Sequence, residues 1–513
     1  EAMRRDARIV IVGDFDCDGA TGTAVAVRGL RGLGASQVAY RVPNRFTHGY
    51  GLTSGLVEEL RADAPDLLIT VDNGVSAHAG VTTAKAYGMA VVVTDHHLPG
   101  STLPAADAIV NPNLDGDRFP SKALAGVGVV FYLLLALRAR LRASGWFAQR
   151  GLAEFDLGSL LDLVALGTVA DLVPLDRNNR ILVEAGLKRM RSGRSNAGIA
   201  ALIAASNRDP QRLTAADLGY ALGPRINAAG RLDDMRLGIE CLLADDPARA
   251  SQLAETLTTI NAERRGLQDS MVEQAEASVQ KWIAQHGDEG LPVGVVLFEP
   301  DWHHGVVGLV ASKLKEKLQR PVIACAPSGD ASGEVKASGR SIAGFHLRDA
   351  LAEVDTRVPG VLQRFGGHAM AAGMSLHRDD LERLAAAFDA VARERIAPEQ
   401  LESVLLSDGE LAPADFSLDL AEQLRFGGPW GQAFPEPLFD NAFAVESWRT
   451  IGEHHWRLKL RCDGMTRPLD AVLFNAPVGL QPPPTLRAAF ALEIDEWSGT
   501  RTLKLFLRHV AAI

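Results

Sequence analysis

The stretch I-V-I-V-G-D-F-D-C-D-G, residues 9–19, decides how the rest of the chain is interpreted. A short β-branched run is followed at once by three carboxylates on alternate positions, Asp14, Asp16 and Asp18. Like charges a few ångströms apart repel each other, so such a cluster usually persists because a cation or a proton is shared among its members. We therefore expect a strand that ends in a site for something positive.

Besides a general cation site, three other roles are conceivable for these acids: a calcium loop, a dinucleotide site and a solvated turn. A calcium loop of the D-x-D-x-D-G kind needs a bidentate Glu at its twelfth position, which counted from Asp14 is Val25, and it follows a helix rather than a strand. A Rossmann dinucleotide site is weak, because acids replace the G-x-G-x-x-G pattern and would repel a pyrophosphate. A solvated acidic turn stays open at this point, because Asp and Gly are common turn formers.

Length and composition place the chain among globular proteins. The 513 residues predict about three domains, and 47% hydrophobic residues suffice for separate cores. The apolar run 127–137 is too short to cross a bilayer, and nothing near Glu1 resembles a signal peptide, so we expect a soluble cytoplasmic protein without membrane contact. The chain opens without Met and soon enters a strand, which suggests a missing N-terminal piece. Four cysteines without C-x-x-C indicate neither a disulfide framework nor a zinc site.

The formal charge of −10 argues against indiscriminate coating of nucleic acid, but it leaves room for a local basic channel. The first 120 or so residues alternate short β-branched runs with helical stretches, which predicts a mostly parallel sheet with helices on both faces. The predicted strands are 9–12, 38–42, 67–71, 90–94 and 108–110.

Polar residues follow three of these strands, at the sheet edge where ligands of α/β proteins bind. Besides the three aspartates, Asp72-Asn73-Gly74 and Asp95-His96-His97 each follow a strand, and Asp171 follows an apolar helical segment. Alone, Asp171 is more often an ordinary helix-terminal residue. Carboxylate and imidazole ligands without thiolates suit a pair of Mn²⁺ or Mg²⁺ ions, and such a pair favours hydrolysis of a phosphate ester or anhydride.

The remainder of the chain changes character twice. From about Asp245 to Trp282, helical spacing with no Pro after Pro247 predicts a rigid connecting helix of roughly 50 Å. A second α/β unit follows, and after about Pro398 apolar residues alternate with Arg457, Lys459 and Arg461, which predicts antiparallel strands with one basic face. The predicted domains are 1–240, 241–290, 291–397 and 398–513.

The motifs G-D-F-D-C-D-G, V-D-N-G, T-D-H-H and G-T-V-A-D-L-V-P-L, in that order, resemble those of the DHH phosphoesterase superfamily. G-G-H-A-M-A-A-G at 366–373 resembles the signature of the associated DHHA1 domain. With the long connector, the stretch G-P-W-G-Q-A-F-P-E-P-L-F at 428–439 and the terminal β-domain, the whole chain is similar to the superfamily's bacterial single-strand-specific 5′→3′ DNA exonucleases. The resemblance implies a multidomain α/β protein: a parallel-sheet DHH domain, a long connecting helix, an α/β DHHA1 domain and a C-terminal OB-fold β-barrel.

The resemblance also implies which residues bind two ions of Mn²⁺ or Mg²⁺. Asp72 would bridge the ions, and Asp14 would join or support the first of them as a catalytic residue. Many relatives carry a ligand His where this chain has Val12, which leaves that first site in question. His97 would contact the scissile phosphate, although a buried His that orients His96 is an equal alternative. The implied metal ligands are Asp14, Asp16, Asp18, Asp72, His96 and Asp171.

Recognition of a nucleic-acid strand requires cationic and aromatic side chains that face it. Guanidinium groups in Gly-rich segments match phosphate oxygens, although each such Arg is by itself more often a surface residue. By resemblance, Ser338 and Arg340 with the 366–368 loop would anchor the 5′ phosphate. Tyr50 and Trp302 could stack bases or fill a core, and the basic face of the β-domain is either solvated or a single-strand site. The candidate substrate residues are Arg45, Tyr50, Arg225, Arg231, Ser338, Arg340, Gly366, Gly367 and His368.

These expectations together predict an exonuclease that removes nucleotides from the 5′ end of single-stranded DNA in recombination and repair. The implied partners are single-stranded DNA, a single-strand-binding protein and a helicase, and we expect a monomer. A replication scaffold without catalysis is a second class, disfavoured because every acid is retained. A small-molecule phosphodiesterase or pyrophosphatase is a third, disfavoured because those relatives are shorter and lack the β-domain.

Overall fold

The computed structural model describes residues 1–44, 48–286, 291–329, 333–452, 454–476, 479–496 and 499–513, without the side chains of 285 and 286. Its compact units are residues 1–258 together with 405–513, and residues 259–404. Within the described ranges no helix combines the length and the apolar character that crossing a membrane requires.

The first unit is built on a five-stranded parallel sheet of order β2-β1-β3-β4-β5. All five strands lie where the β-branched runs predict them, and only β2 is one residue shorter. Ile9 and Ile11 pack into one core cluster while Val10 and Val12 pack into another, so both faces of the sheet are covered. The strands are β1 Ile9–Val12, β2 Val38–Arg41, β3 Leu67–Val71, β4 Ala90–Thr94 and β5 Ala108–Val110.

Helices surround this sheet and continue beyond it. The predicted helix before Asp171 begins as a 3₁₀ turn at Leu157–Leu160 and continues as α6. A π-helix, Leu218–Leu222, lies between α9 and α10. The α-helices are α1 Cys17–Gly32, α2 Ser54–Leu60, α3 His78–Ala86, α4 Gly126–Ala143, α5 Trp146–Arg150, α6 Leu161–Ala170, α7 Arg177–Arg191, α8 Ala197–Ala205, α9 Ala215–Asp217, α10 Gly223–Leu232 and α11 Arg236–Leu243.

The connecting helix α12, Pro247–His286, has 40 residues and is therefore about 60 Å long. Its N-terminus carries Pro at the first helical position, where the missing N–H costs nothing. The helix begins two residues after the predicted start at Asp245 and continues past the predicted end at Trp282 to His286.

The second unit holds a five-stranded sheet of order β6-β7-β8-β10-β9, in which only β6 and β7 are parallel. Trp302 is 4% exposed and its Nε1 donates a hydrogen bond of 2.8 Å to Gln274 Oε1. It therefore fills a core, and the base-stacking alternative is wrong for this residue. The elements are β6 Val295–Phe298, α13 Val307–Leu318, β7 Val322–Pro327, β8 Glu334–Arg340, α14 Leu347–Arg357, β9 Arg364–Gly367, β10 Ala371–His377 and α15 Leu381–Arg395.

The C-terminal segment forms helix α16, Leu418–Gly427, and a closed barrel of order β11-β12-β13-β15-β14. Along β12 the apolar side chains point inward and the basic ones outward, as the alternation predicts. The barrel strands are β11 Phe439–Ile451, β12 His455–Arg461, β13 Leu469–Leu473, β14 Thr485–Asp495 and β15 Thr502–Ala512.

The predicted basic face of the barrel is largely neutralised by acids on neighbouring strands. Lys459 Nζ lies 2.8 Å from Asp470 Oδ2, and Arg457 Nη2 lies 3.6 Å from Asp470 Oδ1. Arg461 Nε lies 2.8 Å from Glu446 Oε1. The three side chains therefore present less positive charge to a ligand than the sequence pattern of β12 suggests.

Candidate metal centre

Ligand-type side chains from four separate segments converge at the carboxyl edge of the first sheet. Asp14, Asp16 and Asp18 follow β1, Asp72 follows β3, and His96 follows β4. In each of three groups, one ligand atom per residue lies within 4.8 Å of the others; the groups are Asp14–Asp16–Asp72, Asp72–His96–His97 and Asp18–His96–Asp171. The structure thus brings together all six residues expected to bind metal, and Asp72 and His96 are each common to two groups.

Backbone amides fix two of the aspartates after β1. Asp16 caps α1, its Oδ1 accepting a hydrogen bond of 3.0 Å from Gly19 N. The carboxylate of Asp18 accepts hydrogen bonds of 2.6 and 2.9 Å from the amides of Gly126 and Val127 at the N-terminus of α4. Amides at a helix N-terminus stabilise an anion, so α4 holds Asp18 in place and favours its carboxylate form.

The close approach of α4 to Asp72 requires glycine at position 126. A methyl group added to Gly126 would lie 2.5 Å from Asp72 Cβ, which is closer than van der Waals contact allows. Asp72 itself adopts a left-handed backbone conformation with φ of 63°, which is costly for a residue other than Gly. Asn73 holds this turn, since its Nδ2 donates to the carbonyls of Val12, Gly13 and Val71.

One imidazole nitrogen and two carboxylate oxygens of the centre lie close together without hydrogen-bond partners in the described part of the chain. His96 Nε2 lies 3.0 Å from Asp72 Oδ1 and 3.5 Å from Asp171 Oδ2. All three atoms are buried, and among the described residues none of them has a hydrogen-bond partner. Buried polar atoms are normally satisfied. A cation between these atoms would satisfy all three, so the residues present fit a divalent metal ion.

The electrostatics of the cluster favour a bound cation as well. Burial, reinforced by neighbouring carboxylates such as Asp18, raises the pKa of Asp72 and of Asp171 well above the usual range. Burial and the nearby Asp16 raise the pKa of Asp18 to about 7. Burial lowers the pKa of His96 to about 4, which keeps its imidazole neutral and able to act as a ligand.

The position of Asp171 argues against its being an ordinary helix cap. The residue follows α6 directly, at the C-terminal end of the helix. The helix dipole is negative there, so a carboxylate at this place is unfavourable without a cation beside it. The alternative of a routine helix-terminal residue therefore loses its support.

His97 is paired with Asp95, a residue that the sequence analysis placed in the cluster but gave no role. His97 Nδ1 lies 2.7 Å from Asp95 Oδ1, and the buried Asp95 also accepts hydrogen bonds of 2.8 Å from the amides of Val75 and His96. Although burial opposes the shift, the hydrogen bond to Asp95 raises the pKa of His97. This pairing fixes the His97 ring through its Nδ1, which is compatible with both roles predicted for His97.

Tyr50 lies at the rim of the same centre. Its hydroxyl donates a hydrogen bond of 3.1 Å to the carbonyl of Asp72, while the residue is 50% exposed. Its ring meets those of Phe15 and His97 edge-on, with centroids 5.8 and 5.9 Å apart. The tyrosine thus joins the metal centre to solvent. Arg45, the other candidate from this segment, lies outside the described residues.

The two arginines of the G-P-R-I-N-A-A-G-R segment differ in their surroundings. Arg225 donates to the carbonyls of Ala221 and Ala205 and to Thr258 Oγ1, so its guanidinium is used to hold the protein together. The expected phosphate contact of Arg225 therefore gains no support from the structure. Arg231 lies half-buried in the last turn of α10.

Ser338 and Arg340 form a separate polar site in the second unit. Arg340 Nη1 donates a hydrogen bond of 2.8 Å to Ser338 Oγ, and burial lowers the pKa of Arg340. Among the described residues the guanidinium forms no ion pair. The first turn of α13 packs closely against it, since a methyl group added to Gly308 would lie 2.9 Å from Arg340 Nη2. A half-buried cation without an anion, beside the start of a helix, suits a phosphate.

The predicted glycine loop shares this face of the second sheet. Ser338 pairs with Gly373 and Gly373 pairs with Gly366 across three antiparallel strands, so the three residues point to the same side. Added methyl groups at Gly366 and Gly373 would meet nothing within 4 Å, which leaves the surface open. Gly367 and His368 follow at the exposed end of β9.

Three family models match successive segments of the chain. The DHH family, N-terminal domain, matches residues 8–168; the DHHA1 domain matches 290–394; and the RecJ OB domain matches 407–509.

Proteins similar to the chain over nearly its whole length are named single-stranded-DNA-specific exonuclease RecJ. The one from Dickeya dadantii is 52% identical over 513 residues, which cover 99% of this chain and 88% of the relative. The one from Escherichia coli is 49% identical, with 99% and 88% covered. Crystal structures of RecJ from Thermus thermophilus are similar in fold: the complex with Mn²⁺ has a TM-score of 0.82 at 32% identity, covering 100% of this chain and 70% of that one. The complex with Mg²⁺ has a TM-score of 0.75 at 30% identity, with 100% and 68% covered.

Proposed function

Because the chain belongs to the RecJ family of single-stranded-DNA-specific exonucleases, we propose that it hydrolyses the phosphodiester bonds of single-stranded DNA with the help of two Mn²⁺ or Mg²⁺ ions. The observation that carries this proposal is the meeting of Asp72, His96 and Asp171 around unsatisfied buried atoms. A scaffold without catalysis would have no need of that arrangement. A small-molecule phosphodiesterase would have no need of the barrel.

The ligand groups divide into two sets that could each hold one ion. Asp14, Asp16 and Asp72 form one set, and Asp18, His96 and Asp171 form the other, with Asp72 near enough to His96 to serve both. Divalent ions bound there supply an activated water and neutralise the charge that develops on the phosphate. Asp72, with its strained backbone, is the residue that we propose as the bridge.

His97 and Tyr50 are proposed to position the scissile phosphate. Asp95 binds the Nδ1 side of His97 and raises the pKa of its imidazole, which favours the protonated ring as a donor to a phosphate oxygen. The Tyr50 hydroxyl lies 3.4 Å from both nitrogens of the His97 imidazole and the two rings meet edge-on, so Tyr50 restrains the orientation of His97. Each residue orients the next, so that the proton of His97 is held at a defined place.

Cleavage from the 5′ end is proposed to depend on the site of Ser338 and Arg340. The guanidinium, the serine hydroxyl and the amides at the start of α13 are donors suited to a terminal phosphate. The open glycine surface formed by Gly366 and Gly373 leaves room for the rest of the nucleotide. A terminal phosphate carries more negative charge than an internal one, so this site would favour phosphorylated ends.

The barrel is proposed to bind single-stranded DNA through aromatic rings more than through the basic side chains of β12. Phe474 is 50% exposed and its ring lies 5.1 Å from that of His455 and 5.8 Å from that of Phe506. Lys504 Nζ lies 5.9 Å from the Phe506 ring centroid. An exposed ring supported by two half-buried rings on an OB-type barrel suits the stacking of bases, although Lys504 is paired with Asp495.

The domain limits, the cellular setting and the protein partners remain predictions. We propose the domain division 1–240, 241–290, 291–397 and 398–513, a cytoplasmic monomer, and recruitment by a single-strand-binding protein and a helicase. The family's exonuclease name is consistent with work in recombination and repair.

End-labelled single-stranded DNA tests the proposed activity. We expect degradation from the 5′ end with Mn²⁺ or Mg²⁺ and none with a chelator. Asp72→Asn tolerates the left-handed backbone but loses one charge and one ligand oxygen, and we expect its rate to fall by at least about a hundredfold. Asp209→Asn, an exposed helix cap, is the control and should match the parent. Degradation by Asp72→Asn at the parental rate would refute the ligand role.

A further inference from the structure

The segment 218–232 runs along the metal centre, and the function proposed so far uses none of its exposed side chains. Asn227 of α10 accepts a hydrogen bond of 2.8 Å from Cys17 N in the loop between the acids. A methyl group added to Gly230 would lie 2.0 Å from the carbonyl oxygen of Phe15, so α10 touches that loop directly. Helix α10 therefore forms one wall of the centre.

The π-helix before α10 packs on the other side of the centre, where Asp171 emerges. A methyl group added to Gly223 would lie 3.1 Å from Ala170 Cβ, and one added to Gly219 would lie 3.3 Å from Val169 Cγ1. Ala170 is the last residue of α6 and directly precedes Asp171. Tyr220 thus belongs to a turn that contacts the helix end bearing a candidate metal ligand.

Tyr220 points away from this packing and into solvent. The residue is 78% exposed, more than any other aromatic residue in the described part of the chain, while Leu218, Ala221 and Leu222 around it are buried. No hydrogen bond or ring contact of Tyr220 occurs among the described residues. Insertions of this π-helical kind often occur at functional sites, because they reorient a side chain that a regular helix would bury.

Two further features concern the π-helical turn that carries Tyr220 and the turn after Asp171. Arg225 donates to the carbonyl of Ala221, which supplies a donor where the π-helix disturbs the regular backbone pairing. Leu172, which directly follows Asp171, is 69% exposed and has a left-handed backbone with φ of 59°. An exposed leucine with a left-handed backbone gains no burial within the fold, so the turn that follows Asp171 is a costly conformation.

We propose that Tyr220 is a base-stacking residue for the single strand of DNA bound at the metal centre. This inference rests on the proposed function and adds a contact to the same site. An aromatic ring can stack on any base, so the contact would hold a strand without reading its sequence. A duplex offers no exposed base face to such a ring, which makes the contact selective for single strands.

Steady-state kinetics on oligonucleotides test the stacking role. We expect Tyr220→Ala to raise KM about tenfold with kcat within about twofold of the parent, and Tyr220→Phe to restore the parental KM because the ring is kept. Tyr87→Ala is the matched control, because it removes another exposed tyrosine ring. Tyr87 is 39% exposed, directly follows α3 and donates a hydrogen bond to Glu58. A joint fall of kcat and melting temperature in Tyr220→Ala would indicate a structural role and overturn the proposal.

Photocrosslinking provides a readout that does not depend on hydrolysis. Single-stranded DNA carrying 5-iododeoxyuridine is irradiated with the full chain in chelator, and the adduct is mapped by mass spectrometry. We expect an adduct at Tyr220, whereas no adduct there together with an unchanged KM in Tyr220→Ala would overturn the proposal. If the parent degrades no DNA, the proposed activity fails, and an adduct at Tyr220 still supports stacking while its absence refutes it.

Discussion

Asp72 combines several energetically unfavourable features, which a role in metal binding explains. Its backbone is left-handed, its carboxylate is buried, and the carboxylates of Asp18 and Asp16 lie close to it. The sequence V-D-N-G indicates a turn with acid at its start, which is enough to predict Asp72 as a ligand candidate. The strained φ could not be predicted, because it depends on Asn73 bonding to the carbonyls of another strand.

Asp95 shows the limit of motif reasoning at single residues. The D-H-H motif draws attention to its two histidines and assigns no role to the aspartate before them. Its actual partners are His97 and the amide of Val75, twenty residues earlier in the chain. The available signal is the spacing, since Asp95 and His97 are two residues apart and thus lie on one side of an extended segment.

At Arg340 we predict a loss of end preference. Arg340→Gln removes the charge but keeps a polar side chain, and we expect the preference for a 5′-phosphorylated over a 5′-hydroxyl strand to fall by about tenfold, since a charged hydrogen bond is lost. Initial rates on the two strands measure the ratio. Arg364→Gln, an exposed arginine on β9, is the control and should keep the parental ratio. Equal processing of both strands by the parent would dismiss the anchoring role.

At the level of elements, the strands of the first sheet were predictable almost to the residue. Runs such as 9–12 and 67–71 are β-branched, apolar on both faces and followed by turn residues, so few alternatives exist. The π-helix at Leu218–Leu222 was not predictable, because its irregular pairing depends on packing against α6. The neutralised face of β12 was missed for the same reason, since Asp470 and Glu446 are brought to it by strand pairing.

For the barrel we predict that a ring contributes more to binding than the basic row. Phe474→Ala should weaken single-strand affinity about tenfold through lost stacking, with little change in the dependence on salt. Arg461→Ala should weaken binding less, because Glu446 already neutralises this arginine. Fluorescence anisotropy with a labelled oligonucleotide at several salt concentrations measures both effects.

The control for the barrel is Phe426→Ala, a phenylalanine that is 39% exposed on α16. It removes a ring of equal size from a surface with no proposed role in binding, so its affinity should equal that of the parent. The ring-cluster hypothesis would fail if Phe474→Ala bound as tightly as Phe426→Ala.

At the level of the whole molecule, the barrel is less separable than the sequence suggests. Leu175 N donates a hydrogen bond of 2.7 Å to the carbonyl of Gln432, and the Arg180 guanidinium lies 4.1 Å from the Phe434 ring centroid. Phe434 also packs against the main core. Deleting everything after Pro398 would therefore strip part of the phosphoesterase core, and loss of activity in such a truncation would say little about DNA binding.

The metal centre connects segments that are far apart in the chain. Its candidate ligands come from the loops after β1, β3 and β4 and from the end of α6, so the two filled sites together would restrain residues between 14 and 171. Without metal, several buried carboxylates repel one another. Metal binding should thus stabilise the folded state as a whole, in addition to enabling catalysis.

Thermal unfolding measures this stabilisation. At about one hundred times its Kd, an ion that binds only the folded state contributes about 2.7 kcal/mol, which should raise the melting temperature of the parent by several degrees. Asp72→Asn should lose most of this shift. Its melting temperature without metal should equal or exceed that of the parent, because one buried carboxylate among other carboxylates is gone. Asp209→Asn should keep the full shift, and an equal shift in Asp72→Asn would show that Asp72 binds no metal.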